Sequence, residues 1–425
     1  LRQTEKIVNY KEKPLVLFAP LDWGLGHTTR SIPIITELLS NHCSVIVACN
    51  SMQKAILEAE FPQISFVGLE GYNLKYGKNK LYTYLLLALQ LPKILIKIKK
   101  EKFWISGFLQ ENRVNAVISD NRFGFFSPET PSVFITHQLA IQTGLGKWID
   151  RIVQWFNYRW IEKFTECWVP DFEDGPNAAG RLSHPSKLPS LPVRYIGCLS
   201  RFSGKKKKMQ QNNDNDTMEA SNAIGVSETT EAPALSSQPL ASYDLLCLLS
   251  GPEPQRSILE QIIAEQLVAL AEQLAAYPGP TALVRGLPGA GTEKQGSPTA
   301  DTRNRYTIPS NTTVFDYASS DLLYDLISAS SLVISRSGYT TVMDMLSMKK
   351  KMILIPTPGQ GEQKYLAAHL QSSGLAISVK QEAFSIQRAI EKAEAFAFQY
   401  LDRDMELYKK VIGRFLSDHR LIHYD

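Results

Sequence analysis

The stretch LVLFAPLDWGLGHTTRSIPIITELL, Leu15 to Leu39, decides the fold. It opens on an apolar run, Leu15 to Ala19, that lacks the polar alternation of a half-exposed strand and so reads as a strand buried on both faces. A turn carrying Gly24 and Gly26 follows, and a helical segment runs from Thr28 to Leu39. The glycines can take positive φ or let a ligand approach the backbone, and the free N–H groups of the next helix attract an anion. The spacing stops short of a dinucleotide fingerprint. Thr28 or Thr29 stands where a third glycine would be, and the second strand ends in Ala48-Cys49-Asn50 with no acid for a ribose, which disfavours a nicotinamide dinucleotide.

The same rhythm recurs along the chain. Ser44–Cys49, Ile64–Gly68, Ala116–Ser119, Ser132–Thr136 and Glu166–Val169 extend a first parallel sheet. Leu245–Leu249, Thr281–Arg285, Thr313–Phe315, Leu332–Ser335 and Lys351–Ile355 make a second, with helical segments between them. The expected architecture is α/β: two facing Rossmann-like βα domains, residues 1–200 and 243–385, across a deep interdomain cleft. Residues 201–242 hold too few large apolar groups to offset the entropy cost of ordering, and read as a low-complexity, flexible linker or insertion. The segment 386–425 is helical and is expected to cross back to the first domain.

Composition narrows the function classes. The chain has 425 residues, 44% hydrophobic and 21% charged, as in ordinary globular proteins with room for two cores. A net charge of +4, evenly spread, argues against nucleic acid as the main partner. The five cysteines form no pair of metal-ligand or redox spacing and read as reduced, buried hydrophobes. No HExxH and no Cys/His cluster is present, so neither a metal nor a cofactor is expected. The polar start LRQTEKIVNYKEK lacks the apolar core of a signal peptide, and a cytoplasmic location is expected.

Leu81–Ile98 is the most hydrophobic tract, but Gln90, Pro92, Lys93 and Lys97 interrupt it, short of the about 20 apolar residues that crossing a bilayer needs. Two readings stand: a core helix with a solvated basic end, or a helix pair kinked at the proline whose basic run at 97–102 lies on the inner, anionic face of a membrane. Trp148, Trp155, Tyr158 and Trp160 sit among Lys147, Arg151 and Arg159, a spacing that fits an amphipathic helix packed on the body better than a nucleic-acid surface.

Polar residues stand at the ends of several strands. His27 lies at a helix start, where the dipole favours the neutral ring, and Asp120 and His137 follow the strands at 116–119 and 132–136. Ends of neighbouring strands converge on one cleft, although capping explains Asp120 equally well. In SRSGYTTVMDM, 335–345, Gly338 makes a tight turn, Thr340 stands near the helix start, and Asp344 one turn on suits a pair of vicinal ribose hydroxyls. After the next strand come Gly359, Gly361, Glu362 and Gln363; a glutamine both donates and accepts, as sugar hydroxyls require. Set opposite the first glycine turn, these elements point to a nucleotide sugar.

At ISRSGYTTVMDMLSMKKKMILIPTPGQGEQKYLAAHLQSSGLA, 334–376, residues 245–380 resemble the donor domain of the bacterial UDP-N-acetylglucosamine transferase of the lipid II pathway and its relatives, the family 28 C-terminal domain. The whole chain is more loosely similar to two-domain GT-B glycosyltransferases, and GLGHTTRSIPIITEL resembles their N-terminal glycine loop. The resemblance implies that Asp344 takes the place of a glutamate holding the donor ribose, that Gln363 and Glu362 face the donor sugar, and that Gly338 and Thr340 approach the nucleotide. Arg336 begins that motif; Ser250 and Gly251 fall on the turn near the diphosphate, with Arg256 on the following helix. His27 matches a histidine beside the acceptor, and His137 starts a second acceptor-side loop. The departures are Asp344 for glutamate, Gln138 for a carboxylate, and Leu366 for the asparagine after the donor-sugar glutamine.

The implied activity is metal-independent, inverting transfer of a hexosyl group from a UDP-sugar donor, UDP-N-acetylglucosamine among the candidates, to a hydroxyl acceptor on a lipid-linked or envelope precursor. His27 is the expected base, with Asp120 and His137 as substitutes. A nucleotide-sugar epimerase or hydrolase, and a non-catalytic envelope partner, stay open on the same residues.

Overall fold

Short strands buried on both faces, each followed by a helix, organise both halves of the chain. The computed structural model describes residues 13–23, 25–72, 80–141, 146–203, 242–273, 279–287 and 308–422, with the backbone alone for 80–88. Gly24 and most of the expected linker, 204–241, lie outside the described residues.

In the first lobe β1 (Leu15–Pro20), β2 (Ser44–Cys49), β3 (Ser65–Gly68), β4 (Ala116–Asp120), β5 (Ser132–Ile135), β6 (Glu166–Val169) and β7 (Val193–Tyr195) pair in parallel, in the order β3-β2-β1-β4-β5-β6-β7. In the second, β8 (Tyr243–Leu248), β9 (Thr281–Val284), β10 (Thr312–Phe315), β11 (Ser330–Ser335), β12 (Lys351–Leu354) and β13 (Ile377–Ser378) follow the order β10-β9-β8-β11-β12-β13. β7 and β13, of three and two residues, were not read from the sequence, because so short a run has no measurable period. Each order reverses once, between β1 and β4 and between β8 and β11, and beyond the carboxyl ends of strands at such a reversal an α/β sheet opens a crevice. The register sets Pro20 beside Asp120 and Leu248 beside Ser335, which fixes what flanks each crevice.

Helices α1 (Gly26–Ser40), α2 (Ser51–Glu60), α3 (Lys80–Glu111) and α4 (Lys147–Ile161) belong to the first lobe. The second carries α5 (Gln255–Gln273), α6 (Ser320–Ala329), α7 (Tyr339–Ser347), α8 (Gly361–Ser372) and α9 (Ile386–Ala395). Asn50 caps α2 through a reciprocal pair with Gln53, whose side-chain amide also donates to Leu21 O at 3.0 Å and so steadies the loop after β1. All five cysteines are free and buried; burial pushes the Cys247 thiol up to about 12.

Two helices depart from expectation. Residues 81–98 belong to the single helix α3, which runs through Pro92 instead of breaking into a pair; the proline removes one backbone donor, and the turns on either side continue. α4 does not pack its aromatic face inward. Trp148, Ile152, Trp155 and Phe156, one face of the helix, are exposed, while Asn157 and Ile161 are its buried residues. Among the described residues no helix is long and apolar enough to cross a membrane.

The last helix, α10 (Leu407–Asp418), lies against α1, and the Phe415 ring meets Trp168 of β6 edge-on at 5.5 Å. One continuous apolar cluster joins Val16 and Trp168 of the first lobe to Tyr339 and Met343 of the second and Phe415 of α10. Truncating Phe415 to alanine leaves a void inside this shared cluster. A loss of about 3–5 kcal/mol is expected, read as a lower urea midpoint with little change in secondary structure by circular dichroism.

Candidate active site

The first crevice is built around a buried ion pair. Asp120 ends β4 and is 1% exposed; Arg30, one turn into α1, is 2% exposed and donates from Nε to Asp120 Oδ2 at 2.7 Å and from Nη2 to Oδ1. His27, at the start of the same helix, sets Nδ1 3.0 Å from Asp120 Oδ2 and 2.8 Å from Arg30 Nη2. His137, just past β5, sets its own Nδ1 3.2 Å from Arg30 Nη1. The three strand-end residues expected to converge, His27, Asp120 and His137, are thus joined through an arginine that the sequence reading missed. Its signal was the three-residue step from His27, which puts both on one helix face.

Electrostatics follow from this geometry. Burial would raise the Asp120 carboxyl, but Arg30 and His27 outweigh it and hold the group well below the usual carboxylate range. Burial, then Arg30, lowers His27 below its ordinary 6.5 against the opposing pull of Asp120, so the ring is neutral at pH 7.

The second lobe closes directly on this centre. Glu362, in the first turn of α8, accepts from His137 Nε2 at 2.8 Å and from the Gln138 amide. Burial pushes the Glu362 carboxyl up, yet His137, His27 and Arg30 together outweigh it and the net shift is downward. Tyr339, the first residue of α7, stacks on the His137 ring at 4.0 Å and donates to Pro170 O. Thr340 donates to Gly26 O at 3.2 Å, and a Cβ on Gly26 would lie 2.9 Å from the Thr340 hydroxyl, so glycine is what lets α1 and α7 meet. Tyr339 carries no sequence signal that separates it from an ordinary core aromatic, whereas Gln138 was marked by standing in the place of a carboxylate.

Not every expected donor residue opens to the crevice. Ser250 is half-buried and Gly251 exposed on the loop between β8 and α5, where Gly251 has φ +104. Gly338 is the N-cap of α7. Arg256 is tied to Glu253 at 2.5 Å and to Glu260 at 2.6 Å, a corrected placement for a residue expected beside a diphosphate: burial next to two acids makes it part of the lobe's internal network. Arg336, 1% exposed, donates to Gln255 O at 2.6 Å and Ile355 O at 3.2 Å, clasping two loops together. Gln363 accepts from Thr357 N at 2.9 Å and shapes its own turn. Asp344, 2% exposed, does not face an open ribose pocket. It accepts from Ser200 Oγ at 2.8 Å and Arg201 Nε at 3.0 Å, where the first lobe ends, and burial raises its carboxyl despite Arg201. Among the described residues no group of three or more His, Cys, Asp or Glu could hold a metal ion.

Two reversal points face each other through Gly26 and Thr340. Residues 255–408 carry the glycosyltransferase family 28 C-terminal domain. The UDP-N-acetylglucosamine–N-acetylmuramyl-(pentapeptide) pyrophosphoryl-undecaprenol N-acetylglucosamine transferase of Clostridium botulinum is 36% identical over 81 residues, 18% of this chain. The match spans 23% of that relative's length. Over the full chain, the calicheamicin glycosyltransferase CalG4 aligns with TM-score 0.54 at 12% identity, covering 96% of this chain and 95% of its own. The UDP-GlcNAc 2-epimerase of Methanocaldococcus jannaschii aligns with TM-score 0.52 at 12% identity, covering 95% and 99%. The fold is therefore the two-domain GT-B arrangement, with the family 28 domain contributing α7 and α8 to the junction.

Because His27 is neutral in the folded protein and binds a proton near 6.5 once unfolded, the stability it contributes is complete above that pH and declines as the pH falls below it. Urea unfolding between about pH 5 and about pH 7.5 should show this decline. His27→Gln is expected to flatten the slope on the acid side and leave the slope above 7 unchanged.

Proposed function

We propose that the protein transfers a hexosyl group from a UDP-sugar to a hydroxyl acceptor, with inversion at the anomeric carbon and no metal requirement. The observation that carries this reading is the contact between Glu362, on the family 28 loop expected to face the donor sugar, and His137 of the His27–Arg30–Asp120 cluster. A donor held by the second lobe thereby abuts the histidine cluster of the first. In this reading the lobes part to admit both substrates, since His27 is only 13% exposed when they meet. His27 takes the hydroxyl proton as the acceptor oxygen attacks the anomeric carbon, and the bond to the diphosphate breaks with its electron pair leaving on UDP. The N-terminal ends of α5, α7 and α8, all at the carboxyl edge of the second sheet, supply partial positive charge to the departing diphosphate near Ser250, Gly251, Gly338 and Thr340. Asp120 and His137 orient His27 and the acceptor, Gln363 and Glu362 meet the sugar, and Asp344 reaches the ribose after exchanging its hold on Ser200 and Arg201. UDP-N-acetylglucosamine is the donor to try first, given the relative matched in this domain.

The acceptor is proposed to be lipid-linked and reached from the inner face of a membrane. Leu89, Ile96 and Phe103 lie exposed at seven-residue steps along α3, and the exposed aromatic face of α4 belongs to the same lobe. Trp160 of α4 packs in one cluster with Ile94 and Ile98 of α3, so the two helices are neighbours. Lys99, Lys100, Lys147 and Arg151 border these apolar faces, the chemistry of an element lying in an anionic interface.

Two measurements test the reading. With UDP-sugars and a lipid extract, His27→Ala is expected to lower turnover by about 10²–10⁴-fold and leave donor Kd within a few-fold, read by calorimetry. Equal losses in both, or release of an epimerised sugar without acceptor, would overturn it. Binding to phosphatidylcholine vesicles is expected to strengthen with added phosphatidylglycerol. Lys99→Glu with Lys100→Glu should weaken it about ten-fold or more, at about 1 kcal/mol per basic side chain near the surface.

A further inference from the structure

Arg30 is bonded to more of the acceptor centre than the mechanism above requires. A guanidinium has five donors and no acceptor, so each of its contacts is a donation. Nε and Nη2 hold the two oxygens of Asp120, Nη2 also faces His27 Nδ1 at 2.8 Å, and Nη1 faces His137 Nδ1 at 3.2 Å. At His137 the two ring nitrogens have different neighbours: Glu362 Oε1 lies 2.8 Å from Nε2 and Arg30 Nη1 3.2 Å from Nδ1. At His27 two opposed neighbours meet one nitrogen, with Asp120 Oδ2 at 3.0 Å ready to accept and Arg30 ready to donate. A histidine beside a carboxylate alone gains affinity for a proton. A fixed cation on the same edge of the ring opposes that gain.

We propose that Arg30 is a positioning residue of the acceptor centre: by holding Asp120 through both oxygens and facing Nδ1 of both histidines, it keeps His27 uncharged while Asp120 stays ionised beside it. The charged and titratable groups facing His27 are Asp120 from β4, Arg30 from α1, His137 from the loop after β5 and Glu362 from α8. Arg30 is the cation among them. After burial, its charge is the largest single influence on His27, and it acts against both the charge and the hydrogen bond of Asp120. Without it, His27 and Asp120 form an ordinary imidazolium–carboxylate pair, and a protonated ring cannot accept a hydroxyl proton. The consequence for catalysis rests on the proposed transferase reading, whereas the protonation behaviour does not.

The test follows the imidazole signals of the full-length protein labelled with 15N-histidine from about pH 5 to about pH 8.5, with His27→Gln assigning the resonance. The wild-type His27 midpoint is expected below 6.5. Arg30→Gln should raise it by about one pH unit or more, and Arg30→Lys, which keeps the charge but not the fork, should leave it within about half a unit of wild type. In transfer assays the acid limb of kcat/KM should move up by the same amount in Arg30→Gln, with donor KM unchanged. An unmoved midpoint in Arg30→Gln overturns the proposal. If that variant is too unstable to titrate, Arg30→Met carries the same comparison, a raised midpoint supporting the proposal and an unmoved one overturning it, and a wild-type midpoint above 6.5 overturns it outright. A shifted midpoint in a protein that transfers no sugar sustains the role of Arg30 and removes the transferase reading instead.

Discussion

The ion pair between Arg30 and Asp120 is the constraint on which the first lobe's functional end depends. Both groups are almost fully buried, and a buried charge is tolerated when a partner and well-placed hydrogen bonds replace its water. The pair also spans two elements: Asp120 closes β4, Arg30 rises from α1, and the strand that leads into α1 lies beside β4 in the sheet. The two-oxygen contact holds helix start and strand end in one relation. His27 and His137 inherit their positions from that relation.

The same economy of parts governs the junction. Each sheet reverses its order once, and α1 and α7, which begin at those reversals, meet at their first turns. α1 and α7 come close enough for Thr340 to donate to a backbone carbonyl because Gly26 carries no side chain. Around that contact, polar links made by Glu362 and Asp344 alternate with the apolar seam of Tyr339, Met343 and Phe415. Polar links can exchange for substrate or water at modest cost, while the apolar seam keeps the lobes associated.

Surface chemistry divides along the same line. The exposed apolar side chains of α3 and α4 belong to the first lobe, whereas the second lobe carries the family 28 domain. Most of the large apolar side chains left exposed lie on the first lobe, with Ile258 and Tyr400 on the second.

Much of this was legible in the residues themselves. Runs such as Val16–Ala19 and Val333–Ser335, apolar without alternation, require cover on both faces, and that alone dictates parallel sheets flanked by helices. Glycine turns after such strands, with His27, Asp120 and His137 at strand ends, placed the candidate chemistry, because strand order puts those ends side by side. Three matters were decided by the tertiary structure. Arg30 joined the site because a partner 90 residues away, Asp120, lay within reach of its guanidinium. Asp344, Arg256 and Arg336 turned inward because neighbouring acids and carbonyls could satisfy them there, a competition no local pattern records. The face of α4 was set by what its neighbours left uncovered: periodicity shows that a helix has two faces, and only packing decides which one meets water.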